Sequence, residues 1–306
     1  RTAVAQATRL AVSNMGLGEG LSLASAATWA LGVIIYRRLG ESLNPIELNV
    51  YKNLIVALLM VPTVLLAHGW GLPQLDAWQW CWVIASGVLG IGVADTCYFH
   101  ALNRLGAGRI GILGNLFSPF VITLSFVFLD ERLSLLQGAG FALVMMGVVL
   151  VHRRARRPVE GTAPIPWSGL LLGVLAIFLN AAGVVMIKRV LEDGPFFWIA
   201  QLRLLAALLP MAIAWHWFAR WRKSPPRGVA PPWGLLLLGA FLGQYLAMLL
   251  WLGGYRYTDA SVASVLNETA SVFILLFAWW LLREPLERAK LLGVTLTFAG
   301  VSLMLM

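Results

Sequence analysis

The sequence predicts an all-α integral membrane protein of ten transmembrane helices, arranged as two inverted five-helix repeats. Three observations carry that expectation: an apolar composition, ten apolar runs of helical length, and a repeat of the chain on itself. Of 306 residues, 59% are hydrophobic and only 12% charged, against about 25% charged in a soluble domain. A water-soluble fold of this length could not hide so much apolar surface. The +9 net charge does not point to nucleic acid. The basic residues sit in short clusters between apolar runs, where membrane proteins carry them to fix orientation.

In chain order, residues 1–17 read as an N-terminal tail. Arg1 to Asn14 lack the charged start, apolar centre and small-residue cleavage site of a secretory signal. Ten spans follow, at roughly 18–36, 46–67, 80–102, 108–129, 134–151, 168–187, 196–218, 233–254, 260–282 and 289–306, the fifth and tenth being shortest. Each is expected to be a helix, because only helices satisfy their own backbone in lipid unless a barrel closes. Barrel strands would alternate polar and apolar residues over about ten positions, and these runs do not. The first repeat is expected over 18–151, a basic linker over 152–167 and the second repeat over 168–306. Lys and Arg number fifteen in the odd-numbered loops and six on the opposite side. The positive-inside rule therefore puts the odd loops in the cytoplasm and both termini outside.

The repeat appears at a fixed offset of 153. Trp80 aligns with Trp233, Gly90 with Gly243, Ser118 with Ser271, Glu131 with Glu284, Gly140 with Gly293 and Gly147 with Gly300. With small shifts, Gly32, Arg37-Arg38 and Pro45 echo Gly183, Lys188-Arg189 and Pro195. Five helices per half is an odd number, so the second half enters the membrane from the opposite side. Inverted repeats are the usual build of secondary transporters with alternating access.

The segments LDERLSLLQGAGFALVMMG (129–147) and LREPLERAKLLGVTLTFAG (282–300) close the two halves with the same pattern of turn and glycine-bearing helix. On these residues the chain resembles the drug/metabolite transporter superfamily, EamA type, with two EamA domains. Trp29 and Arg203 also fit the family. One departure is Lys52-Asn53, where an arginine matching Arg203 would stand; Lys52 supplies that charge. The resemblance implies a secondary active transporter of metabolites, amino acids or drugs in a bacterial-type inner membrane, working as an exporter. It implies a central cavity between the halves, with the fifth and tenth helices peripheral.

Charges at membrane depth cost about 2.5–3.5 kcal/mol each on insertion scales, so each needs a reason. The candidates are Lys52, Asp95, Arg203 and Glu268. Asp95 and Glu268 are candidate proton carriers, because a carboxyl in an apolar cavity can load and release protons near neutral pH. The competing reading is a structural ion pair with Lys52 or Arg203. Candidate cavity residues are Trp29, Asn115, Ser118, Asn180, Gln244, Tyr245, Asn267 and Ser271. Pro119 favours a kink in the fourth span. Hydrogen bonding between helices is the alternative role for these polar groups. His100 is expected at the interface. Glu131 and Glu284 are expected to be structural, each capping the helix that follows it.

Expected partners are a small-molecule substrate, the bilayer and protons as coupling ion; the chain would be a monomer or homodimer. No cofactor, metal site or nucleic-acid partner is expected. An intramembrane enzyme is the alternative, but Asp95 is the one aspartate at depth, and neither HExxH nor GxSxG occurs. A channel or sensor would call for a ring of like residues, and none is visible. Cys81 and Cys97, 16 residues apart on one helix, would stand about 24 Å apart, too far for a disulfide.

Overall fold

The computed structural model describes residues 16–40, 42–43, 45–105, 107–153, 166–217, 232–282 and 288–306. Glu284, most of the tail and most of the basic linker lie outside these residues. Among the described residues every regular element is a helix. α1 is Leu17–Leu39 and α2 is Pro45–His68. α3 runs as Ala77–Gly87, a π-helical turn Val88–Val93, and Ala94–Leu105. α4 is broken into Ala107–Gly114 and Phe117–Phe128. α5 is Leu135–Arg153, α6 Trp167–Asp193 and α7 Phe196–Trp217. α8 runs as Trp233–Ala240, a π-helical turn Phe241–Leu246, and Ala247–Tyr257. α9 is broken into Ala260–Asn267 and Ala270–Leu282, and α10 is Arg288–Met304.

Seven of these are long and apolar enough to cross a membrane: α1, α2, α3, α6, α7, α8 and α9 taken across its break. The shorter apolar helices are Phe117–Phe128, Leu135–Val151 and Lys290–Met304. Large apolar side chains such as Leu58, Leu66, Leu171, Leu209 and Trp280 point outward, as lipid-facing residues do. α6 continues past the expected end near 187 to Asp193, and Lys188 and Glu192 pair one turn apart along the added stretch. Cys81 and Cys97 are both free and both on α3.

The helices meet where glycines let backbones touch. A Cβ on Gly243 would lie 2.5 Å from the Gly32 Cα, and one on Gly183 2.5 Å from the Gly90 Cα. These seams bring α1 against α8 and α3 against α6. A third joins α5 to α10: a Cβ on Gly140 would stand 2.7 Å from the Gly300 carbonyl oxygen, and one on Gly293 2.7 Å from that of Gly147. Small residues at such crossings are what membrane helices use in place of a hydrophobic drive.

Pro119 sits in the first turn of the second α4 segment, where its missing N–H costs nothing. The break comes earlier, at Asn115-Leu116. α9 breaks at the corresponding place with Val272 where α4 has Pro119, so proline alone does not make the break.

Candidate functional site

The first polar group gathers around α2. Lys52 lies half-buried on it and donates to Gln244 Oε1 at 3.2 Å. Its ammonium lies 5.9 Å from the ring centroids of both Trp29 and Tyr36 on α1, within reach of a cation–π attraction. Asp95 faces Lys52 as its charge partner and is hydrogen-bonded to the Asn49 side chain. Asn53 in turn donates to Asn49 Oδ1 at 3.0 Å. The π-turns explain the aim: one contains Gln244 and the other ends two residues before Asp95. A π-turn shifts the register of a helix face and is frequent at functional sites.

The second group sits at the break in α9. The Glu268 Oε1 lies 2.8 Å from the Ser118 hydroxyl of α4. That hydroxyl also lies 3.1 Å from the Ser264 carbonyl oxygen. Ser118 and Ser264 are fully buried. Tyr255 of α8 is fully buried too, interacts electrostatically with Glu268 and Glu131, and its hydroxyl has no hydrogen-bond partner among the described residues.

The structure thus brings together Lys52, Asp95, Gln244 and Trp29, and separately Ser118 and Glu268. The other candidates are spread out. Arg203 is 3% exposed and its Nε donates to Ser86 Oγ at 2.9 Å. Asn180 donates to the Gly90 carbonyl within the α3 π-turn at 3.1 Å. The Tyr245 hydroxyl pairs with Thr63 Oγ1 at 2.6 Å. Asn267 donates to the Ala263 carbonyl on its own helix. Asn115 and Ser271 are half-buried at or beside the two breaks, and His100 is half-buried near the end of α3. Sequence reasoning missed Asn49, Tyr36 and Tyr255. Asn49 stands one helical turn from Lys52, a spacing that puts both on one face; for Tyr255 the sequence carries no such signal.

Glu131 differs from expectation. It does not cap α5, which has its own capping box: Gln137 N–H donates to Ser134 Oγ, and Ser134 N–H to Gln137 Oε1. Its carboxylate instead crosses to the start of α9. It accepts the N–H groups of Ala260 at 2.8 Å and Ser261 at 2.9 Å, and the Ser261 hydroxyl at 2.7 Å. Asp259, in the N-cap position, makes no capping bond. Among the described residues no three His, Cys, Asp or Glu side chains converge as a metal site would require.

The family model described as the EamA-like transporter family matches the chain twice, over residues 16–153 and 167–306. Protein PecM of Dickeya dadantii is 26% identical over 267 residues, 82% of each chain. An uncharacterized transporter of Archaeoglobus fulgidus is 33% identical over 142 residues, 44% of each chain. The biotin transporter of Escherichia coli K12 is 25% identical over 190 residues, 60% of this chain and 59% of that one. One crystal structure superposes with a TM-score of 0.78 over 94% of this chain and 95% of that one, at 18% identity; it shares the fold.

Proposed function

This multi-pass membrane protein belongs to the EamA-like transporter family, within the drug/metabolite transporter superfamily, and we propose that it is a proton-coupled exporter of small organic molecules. It works by alternating access around a central cavity between two inverted five-helix repeats, over 18–151 and 168–306.

The observation that carries this reading is the pairing of backbone irregularities. The π-turns at Val88–Val93 and Phe241–Leu246 stand 153 residues apart, as do the helix breaks after Gly114 and Asn267. The glycine seams are reciprocal as well. The contact of Gly32 with Gly243 is repeated by Gly183 with Gly90, and that of Gly140 with Gly300 by Gly293 with Gly147. A pseudo-twofold relation between halves accounts for all of these at once. Discontinuous helices at the repeat interface are where such transporters hold substrate and coupling ions.

Lys52, Asp95, Gln244 and Trp29 then line the substrate side of the cavity, with Asn115, Asn267 and Ser271 near the breaks. Glu268 is the proton-loading carboxyl. Arg203, Asn180 and Tyr245 brace the wall through the bonds described above. Biotin, in the name of one relative, is a small organic molecule and fits the substrate class. Export is the direction the family resemblance implies.

Reconstitution tests the reading. Proteoliposomes with an imposed proton gradient would be offered a panel of amino acids and lipophilic cations. Gradient-driven movement of at least one compound, with matching proton flux, is expected. If no compound moved and no proton flux followed, the reading would fail.

A further inference from the structure

The break in α9 leaves a carbonyl without its helical donor. In an unbroken α-helix the Glu268 N–H would bond to Ser264 O. Here it bonds to Val265 O at 3.1 Å, and Thr269 N–H to Leu266 O at 3.2 Å. Ser264 is fully buried, so its carbonyl needs a donor from elsewhere or stays unsatisfied. The one on hand is Ser118, whose oxygen lies 3.1 Å from Ser264 O and 2.8 Å from Glu268 Oε1.

A serine hydroxyl has one proton to give and two lone pairs to accept with. It cannot donate to both oxygens. When Glu268 is protonated, its O–H donates to Ser118 Oγ, and the Ser118 O–H donates to Ser264 O; every group is satisfied. When Glu268 is ionised, the Ser118 O–H turns to the carboxylate, because a charged acceptor makes the stronger bond. Ser264 O then loses its donor, and with it a hydrogen bond between α4 and α9.

We propose that Ser118 is a positioning residue that converts the protonation of Glu268 into a change in how tightly α4 holds α9. The idea rests on the reading of Glu268 as the proton-loading carboxyl. The element it would act on is the first α9 segment. Ala260 to Leu266 are all buried, and the segment is tied to the α4 region at both ends. Glu131 holds Ala260 and Ser261 at one end; Ser118 holds Ser264 at the other. Ionising Glu268 moves the second tie off the Ser264 backbone and onto the Glu268 side chain, so the backbone of the segment is held at its first turn alone.

The charged surroundings are sparse. From α8, Tyr255 faces Glu268. α4 and the turn after it bring Arg109 and Glu131, toward opposite ends. α1 carries Glu19 near its start and Arg37 and Arg38 near its end. α10 carries Lys290 in its first turn, and α5 has no titratable residue between Leu135 and Val151. On α9 itself Asp259 stands exposed in the N-cap position, at the far end of the segment, so a pH response centred on residues 264–268 is assigned to Glu268.

Hydrogen–deuterium exchange of residues 260–268, in the intact protein in lipid nanodiscs, reads the device without any substrate. At about pH 5.5, wild-type amides should be protected about fivefold more than at about pH 8.5, after correction for intrinsic rates. Glu268→Gln, whose amide can donate to Ser118 Oγ as the protonated acid does, should stay protected at both. Ser118→Ala should abolish the difference, and Ser118→Thr, which keeps a hydroxyl, should restore it. A role in packing alone would lower protection in Ser118→Ala equally at both pH values and leave the difference intact; that outcome overturns the proposal. So does a pH difference that survives in Glu268→Gln, a variant that decides the matter even if Ser118→Ala does not fold. Gradient-driven uptake in the same variants separates the two ideas. Accumulation that persists in Glu268→Gln removes the coupling role. Loss of accumulation there, with an unaltered pH difference in Ser118→Ala, removes the Ser118 device alone.

Discussion

The two halves share their backbone and divide their chemistry. α4 and α9 break at matching places, yet one break carries Asn115 and the other Glu268. α2 and α7 each carry one cation in the span. Lys52 stays half-buried among Gln244, Trp29 and Tyr36, while Arg203 is 3% exposed and pinned to Ser86. Asp95 has Met248 as its counterpart at the same offset. The proposed rocking of one half on the other would need matched hinges and seams, and the π-turns, breaks and glycine contacts occur in both. The proposed proton coupling would need different groups in different places, and Asp95 and Glu268 are not duplicated.

That division can be broken first at the helix breaks. Glu268→Gln removes the proposed proton-loading group with little change of shape, and gradient-driven accumulation in proteoliposomes should fall by about tenfold or more. Asn115→Ala, at the matching position, should cost about twofold or less. Comparable losses in the two variants would mean that the breaks do the same work.

The cations give the next contrast. Arg203→Ala removes a buried charge and a bond to Ser86, and should destabilise the protein by about 2–4 kcal/mol, read as a lower melting temperature in detergent. Lys52→Met should move the melting temperature by less than half as much, while changing substrate affinity. Equal thermal losses would put Lys52 in the frame rather than in the cavity.

Much of this frame was legible in the sequence, because apolar runs of helical length have few other solutions in lipid. The described residues of the expected spans are largely helical, seven helices are long and apolar enough to cross a membrane, and the family follows from motifs that stand twice at one spacing. The irregularities were not legible. No residue in Val88–Val93 demands a π-turn; Gly90 is there for the approach of α6. α4 carries Pro119 as a kink signal, but its break falls earlier, at Asn115-Leu116; α9 reads as an unbroken apolar run, since a break leaves no mark on hydropathy. Glu131 was recognised as a capping acid but matched to the wrong helix: sequence distance favours α5, and only the fold brings Ala260 to it. The polar residues themselves were easy to find, being rare. Their sorting into two groups and a set of braces depended on side-chain geometry.

A smaller effect is expected at that cross-half cap. Glu131→Ala removes three hydrogen bonds from the first turn of α9. It should cost about 1–2 kcal/mol, the range for losing a helix cap, with the greatest rise in amide exchange at residues 260–263. Glu131→Gln, which keeps one acceptor oxygen, should lose about half of that. If exchange rose instead at the start of α5, the cap would belong to the helix that sequence order suggests.

The smallest effect belongs to Asp259, which stands where the first half has Gly106. Burial pushes its carboxyl above the usual carboxylate range; the charge of Glu131 pushes the same way, and Lys188 opposes. A carboxyl whose folded value is raised binds its proton more tightly in the folded protein than in the unfolded one. Its stabilising contribution is complete below the ordinary carboxylate value and is lost as pH rises through the raised one. Asp259→Asn stays neutral throughout, so it should leave stability unchanged at acid pH and raise it above that window. The side chain is only partly shielded from solvent, so the gain at neutral pH should be small, about 1 °C in melting temperature, and should shrink further in high salt. A gain that persisted unchanged at acid pH would mean that the substitution acts through packing at the start of α9. A loss at neutral pH would mean that the charge is useful there, and that the acid found in the second half alone serves the N-terminus of α9 after all.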